Sequence, residues 1–457
     1  MIRSTAFSAL TGAALMMAGL VLAAPPAQAV TAPEIPPPAH FTLDNGLEVV
    51  VIEDRRAPVV TQMMWYRVGS GEDPPGLSGM AHYVEHLMFM ANESRDEGEF
   101  DSVLRAQGAQ SNAFTSFDYT AYFQTIAADR LEIAMQLEAE RMTGLRIDRS
   151  SWRSERDVIL EERSQVLESH PDRVLREQMR AALFRHHPYG IHVLGWRHEM
   201  EQLDSESAKA FYRQHYGPNN AILILSGDID AETARQLAER HYGDIPANPA
   251  ITPRSRLAEP PQLAERRLVL HDERVARPLV SRLYLAPNRR AGDQHEAAAM
   301  QVLATLLGGT RTSVLDQRLI HDEEIALSVW AGSQGTALDY GTFSLGIVPA
   351  PGVSLEEAEA ALDHVLAEFV ESGVDAAQLE RVRRQLRAST IYQLDDASTR
   401  ARVLGMALTT GLTVDDATGW IDALLAVEED DIIAAARSLD RRASVTGWLM
   451  REEGETG

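Results

Sequence analysis

The chain has 457 residues, 45% of them apolar, which is too long for one ordinary hydrophobic core and rich enough to fill two domains. It carries 43 Lys and Arg against 67 Asp and Glu, a formal net charge of -24, which makes it a poor nucleic-acid binder by bulk electrostatics, and no nucleic-acid partner is expected. Cysteine is absent, which excludes disulfides, thiolate metal sites and lipid attachment to an N-terminal cysteine; any metal must be held by nitrogen and oxygen.

Residues 1–29 combine one basic residue, Arg3, an apolar run from about Ala6 to Ala24, and a small-x-small ending at Ala27 and Ala29. That is the layout of a cleavable secretory signal, and Pro25 and Pro26 argue against an uncleaved anchor. No later run reaches the roughly 18 apolar residues of a spanning helix. The expectation is an exported protein, cleaved after about Ala29, with no stable membrane anchor.

The stretch that follows, residues 30–245, reads as one domain. The β-rich "GLEVVVIEDRRAPVVTQMMWYRVGS" leads into "GLSGMAHYVEHLMFMANES", an apolar helix that nevertheless carries His82, Glu85 and His86. Positions i, i+3 and i+4 share a helix face. His82 and His86 can therefore reach one point, a standard chelating pair for Zn²⁺, with Glu85 beside it as a base for a metal-activated water. Next come the strand-like "SNAFTSFDYTAYFQTIA" and the helical "LEIAMQLEAERM". The carboxylate-rich "SERDVILEERSQVLE" then puts Glu155 and Glu162 two turns apart on one helical face, candidates for the third ligand that two histidines require. His186 and His187 precede Pro188 with no carboxylate spaced to complete a site, and read as structural.

A proline-rich segment, residues 246–264, interrupts these patterns and reads as an interdomain linker. Residues 265–457 then repeat the order of elements: strands, a helix ("DQHEAAAMQVLATLLGG"), strands, and a long helix ("SLEEAEAALDHVLAEFVESG"). The repeated order predicts an α+β fold of two sandwich domains, with largely antiparallel sheets and helices packed on one face.

The inverted motif H-x-x-E-H is the inverzincin signature. The chain resembles the pitrilysin-like (M16) zinc peptidases, especially the two-domain branch that includes the mitochondrial processing peptidase and its bacterial relatives. The likeness runs through "GLSGMAHYVEHLMF", "QSNAFTSFDYTAYF", "ERDVILEE", "HHPYG" and "YGPNNAILILSGDID" in the family's order and spacing. The resemblance implies the LuxS/MPP-like metallohydrolase fold, with a catalytic first domain and a non-catalytic second. It implies one Zn²⁺ per chain, ligated by His82, His86 and Glu162, with Glu85 as general base and Glu155 as the carboxylate supporting a histidine. It also makes Asn112, Ala113, Phe114 and Thr115 an edge strand to which an extended peptide adds through main-chain hydrogen bonds.

One departure bears on partners. Catalytically complete members carry, in the second half, an Arg and seven positions later a Tyr that support the developing oxyanion; the matching positions here are Ile320 and Leu327. The expectation is a periplasmic zinc metalloendopeptidase acting on oligopeptides or flexible protein segments. It would form the active subunit of a heterodimer whose other member lacks H-x-x-E-H and supplies the Arg and Tyr. The alternative is a non-catalytic peptide-binding or assembly subunit.

Overall fold

Two β-sheets organise the protein, whose computed structural model describes residues 36–147 and 151–452. The segment read as a secretory signal lies outside the described residues. The first sheet contains β1 (Ala39–Thr42), β2 (Glu48–Glu53), β3 (Val59–Tyr66), β4 (Gln110–Thr115), β5 (Thr120–Ala127) and β6 (Ala221–Gly227), in the order β1-β2-β6-β3-β5-β4. The second contains β7 (Arg266–Asp272), β8 (Leu279–Ala286), β9 (Ala326–Gln334), β10 (Gly341–Pro349) and β11 (Ser444–Arg451), in the order β7-β11-β8-β10-β9. Apart from β1, the two orders are the same. Each sheet has one parallel pair, β2 with β6 and β11 with β7, in an otherwise antiparallel ladder. The internal repeat legible in the element order is therefore a repeat of topology.

Helices of its own half cover one face of each sheet, as the patterning predicts, and a helix from the other half covers part of the second face. In the first, Val60, Met64 and Tyr66 point into a core shared with Val84, Leu87 and Met135. Successive strand residues face opposite ways. Trp65 therefore faces the other side, and there it meets a helix from the second half, Ala397–Thr409, where a Cβ on Gly405 would lie 2.0 Å from the Trp65 ring. The second half receives the reciprocal cover. Helix Pro171–Leu183, from the first half, packs Leu175, Met179 and Leu183 against Val445 and Leu449 of β11, and a Cβ on Gly447 would lie 2.4 Å from Met179 Sδ. The exchange explains why β3 and β6 are almost uniformly buried: both of their faces are covered.

The proline-rich segment 246–264 contains no helix or strand, yet it is anchored. Arg256, whose side chain is 5% exposed, donates from Nε to Glu72 at 2.9 Å, and from Nη1 to Asp118 at 2.5 Å and to Asp339 at 2.9 Å. Glu72 and Asp118 belong to the first half and Asp339 to the second, so one guanidinium ties both to the connecting strap. His187, read from the sequence as structural, is buried and joins the same network through Asp339 at 3.1 Å. Among the described residues, no helix is long and apolar enough to cross a membrane.

Candidate metal centre

The motif helix runs Met80–Leu87, and the residues before it fix where it starts. Gly79 has φ 87°, a left-handed conformation that favours glycine, and a Cβ there would also meet the Leu194 carbonyl at 2.5 Å. The buried Asp73 carboxylate accepts from Gly79 N at 2.7 Å and Ala81 N at 2.8 Å, satisfying two of the helix's orphan amides. Met80, Val84, Leu87 and Met88 are buried in the first core, and Phe89 packs against it. This anchoring leaves the face bearing His82, Glu85 and His86 to turn toward helix Ser151–Arg163.

There the structure brings His82, His86 and Glu162 together, their ligand atoms all within 4.8 Å of one another; among the described residues this is the one such cluster of candidate metal ligands. Glu162 Oε2 lies 3.5 Å from His82 Nε2 and 3.5 Å from His86 Nε2. Donor atoms sharing a tetrahedral ion at about 2 Å lie roughly 3.3 Å apart, so two imidazoles and a carboxylate at this spacing fit Zn²⁺ in both chemistry and separation. Glu155, one face-repeat earlier, reaches the opposite side of His86, with Oε2 3.3 Å from Nδ1. Glu161, adjacent to Glu162 in the sequence, is exposed and accepts from Gln165, so it is not part of the cluster.

The electrostatics agree with a cation site. Burial pushes His82 down to about 4, with the neighbouring His86 adding to the effect, so its ring is neutral and able to donate a lone pair. At His86 burial acts in the same sense, but Glu155 and Glu162 outweigh it and raise the ring to about 9. These carboxylates thus favour positive charge at that point, whether a proton or a metal. Glu162 is held below its ordinary value by its hydrogen bond with His86, against burial. Glu85 moves the other way: burial raises it, partly offset by a hydrogen bond from Thr115.

That hydrogen bond was not legible in the sequence. Thr115 Oγ1 donates to Glu85 Oε2 at 2.5 Å, so this residue of the edge strand serves the motif through its side chain. Asn112, Ala113 and Phe114 lie beside it on β4, which pairs with β5 alone and forms the sheet's edge. His192 also lies near the cluster. It is pushed down to about 4 by burial and acts electrostatically on His82. No motif spacing marks either residue. Ile320 is partly buried against the second core, and Leu327 is 46% exposed at the start of β9.

Two family models match the chain: "Insulinase (Peptidase family M16)" over residues 48–196 and "Peptidase M16 inactive domain" over residues 202–386. An uncharacterized zinc protease of Streptomyces coelicolor is 30% identical over 423 residues, covering 89% of this chain and 88% of the relative. The zinc protease PqqE of Helicobacter pylori is 27% identical over 366 residues, covering 80% and 82%. The crystal structure of a protease from Helicobacter pylori superposes with a TM-score of 0.84 at 25% identity, covering 91% of this chain and 100% of that one.

Proposed function

The chain belongs to the M16 peptidase family, and on that premise we propose that it is a zinc-dependent metalloendopeptidase of the periplasm that cleaves oligopeptides or flexible protein segments. The observation that carries this reading is the convergence of two imidazole Nε2 atoms on one Glu162 oxygen, with Glu85 on the same helix face. His82, His86 and Glu162 would hold the ion, and Glu155 would fix the His86 ring through Nδ1. When bound, Zn²⁺ supplies Lewis acidity that polarises the scissile carbonyl and brings the pKa of a water toward about 7.

Glu85 is the general base. Thr115 holds Oε2, which leaves Oε1 to accept a proton from the attacking water and pass it to the departing amine. Burial raises the Glu85 carboxyl toward the pH at which such a shuttle works best. The β4 backbone offers an extended substrate segment a strand to pair with, which favours unfolded or flexible chains, because a folded substrate has no free strand to donate.

The absence of Arg at Ile320 and of Tyr at Leu327 supports a heterodimer in which a second subunit without H-x-x-E-H provides those groups. The test is a digest of an unstructured peptide library, with and without chelator, by the purified chain alone and after co-expression with such a relative. Chelator-sensitive cleavage that rises strongly in the co-expressed pair is expected. Full activity from the chain alone would overturn the heterodimer, and no cleavage under either condition would overturn the peptidase. Export is tested by fractionation, with N-terminal sequencing expected to begin near Val30.

A further inference from the structure

Between helix Pro171–Leu183 and the second sheet lies a cavity of about 600 Å³. His192 and Val193 line it, and the residues that follow them, Leu194 and Gly195, pack against Gly79 at the start of the motif helix, so the cavity lies beside that end of the helix. The helix wall presents Arg173, Arg176, Glu177 and Arg180, whereas the facing strands present the neutral Ser281, Thr342 and Ser344. Glu177 is the one carboxylate among the residues lining it, and Arg163 already pairs with it at 2.9 Å. In a chain of net charge -24, a cavity wall with three arginines and one neutralised acid runs against the composition.

Arg180 is the informative member. Its Nε donates to the Tyr189 carbonyl at 2.5 Å, and its guanidinium lies 4.2 Å from the Phe117 ring centroid and 5.2 Å from that of Phe184. No ion pair to Arg180 occurs among the described residues, and burial lowers its pKa only to about 10, which leaves it charged near neutrality. A guanidinium wedged between aromatic rings keeps its fork in one plane, the geometry that takes a carboxylate through two parallel hydrogen bonds. Arg173 donates to the Val166 carbonyl, and Arg176 is exposed with only a loose 3.7 Å contact to Asp172. Both add positive potential at the cavity's rim.

We propose that this cavity receives a carboxylate of the peptide substrate, with Arg180 as the specificity-determining contact and Arg173 and Arg176 as its electrostatic rim. The assignment rests on the peptidase reading above for the identity of the ligand as a peptide. The carboxylate can come from an Asp or Glu side chain or from the peptide's own C-terminus, and a hydrogen bond to a charged group discriminates against the neutral amide by about tenfold or more.

The experiment uses matched pools of unstructured peptides in which acidic side chains are kept or replaced by their amides, each with a free or an amidated C-terminus. Binding is read by fluorescence anisotropy on the full chain carrying Glu85→Gln, and hydrolysis as kcat/KM on the unaltered chain, both alone and co-expressed with the relative that lacks H-x-x-E-H. The acidic pools are expected to bind about tenfold tighter or more, and the arm that shows the preference identifies the source of the carboxylate. Arg180→Gln should bring the ratio close to one, and Arg180→Lys, which keeps the charge but loses the fork, should fall between. Arg176→Glu, at an exposed position that leaves folding intact, should also lower the ratio. Equal binding of all pools, or a ratio unchanged in these variants, overturns the proposal. Carboxylate-selective binding without hydrolysis of any pool sinks the peptidase reading and leaves the anion site standing, whereas hydrolysis without selectivity does the reverse.

Discussion

Arg256→Met tests whether the strap between the two halves is held by charge. The substitution keeps most of the side chain's length but removes every donor, leaving Glu72, Asp118 and Asp339 without their shared cation. Glu72 and Asp118 keep other partners, the Gly69 amide for one and the Tyr189 hydroxyl for the other, so neither is fully orphaned. Breaking a buried ion pair by removing one partner costs about 3–5 kcal/mol, and we expect the effect to lie in that range because all three carboxylates face the same lost charge. The pH dependence follows from Glu72, whose carboxyl burial already raises against the pull of Arg256. Without Arg256 it rises further, so the folded variant binds more protons than the unfolded chain and gains stability as pH falls. Urea unfolding of the wild type and variant at pH 8 and pH 5 should therefore show a deficit of several kcal/mol at the higher pH that narrows at the lower. A deficit below about 1 kcal/mol at both values would refute the buried-network argument, since that is the worth of an exposed pair.

Three further outcomes follow from the same geometry. Glu155→Gln removes the carboxylate from His86 Nδ1 and should weaken zinc affinity about 10–100-fold, read by competition with a chromophoric chelator, while leaving the fold intact by circular dichroism. Thr115→Val removes a hydrogen bond that favours ionised Glu85, so the acid limb of the kcat/KM profile should move to higher pH; an unmoved limb would remove Thr115 from the site. Gly405→Ala places a methyl against the Trp65 ring and should destabilise the protein by about 1–3 kcal/mol, measured by urea unfolding.

The spacing of the candidate metal ligands was legible in the sequence, and so was the fold class; the long-range packing around them was not. His82, Glu85 and His86 are fixed relative to one another by helix geometry, and the two-turn spacing from Glu155 to Glu162 carries its partner carboxylates on one face. The repeated order of strands and helices likewise follows from local periodicity. The exchange of helices between sheets could not be read that way. The Pro171–Leu183 pattern announces an apolar stripe, but a stripe does not name the sheet it will meet, and only Gly447 opposite Met179 reveals the match. Arg256 was hidden for a related reason: in a proline-rich stretch it reads as a solvated charge, because its partners at Glu72, Asp118 and Asp339 are remote in sequence. Thr115 sits on an edge strand where backbone pairing dominates expectation, and nothing local marks its hydroxyl as the partner of Glu85.

Metal content measured beside peptide hydrolysis in Glu85→Gln separates metal binding from catalysis. The substitution leaves His82, His86 and Glu162 in place and removes only the proton acceptor, so zinc should remain at one ion per chain while hydrolysis falls by about 10²–10⁴-fold. Zinc retained together with undiminished cleavage would contradict the account.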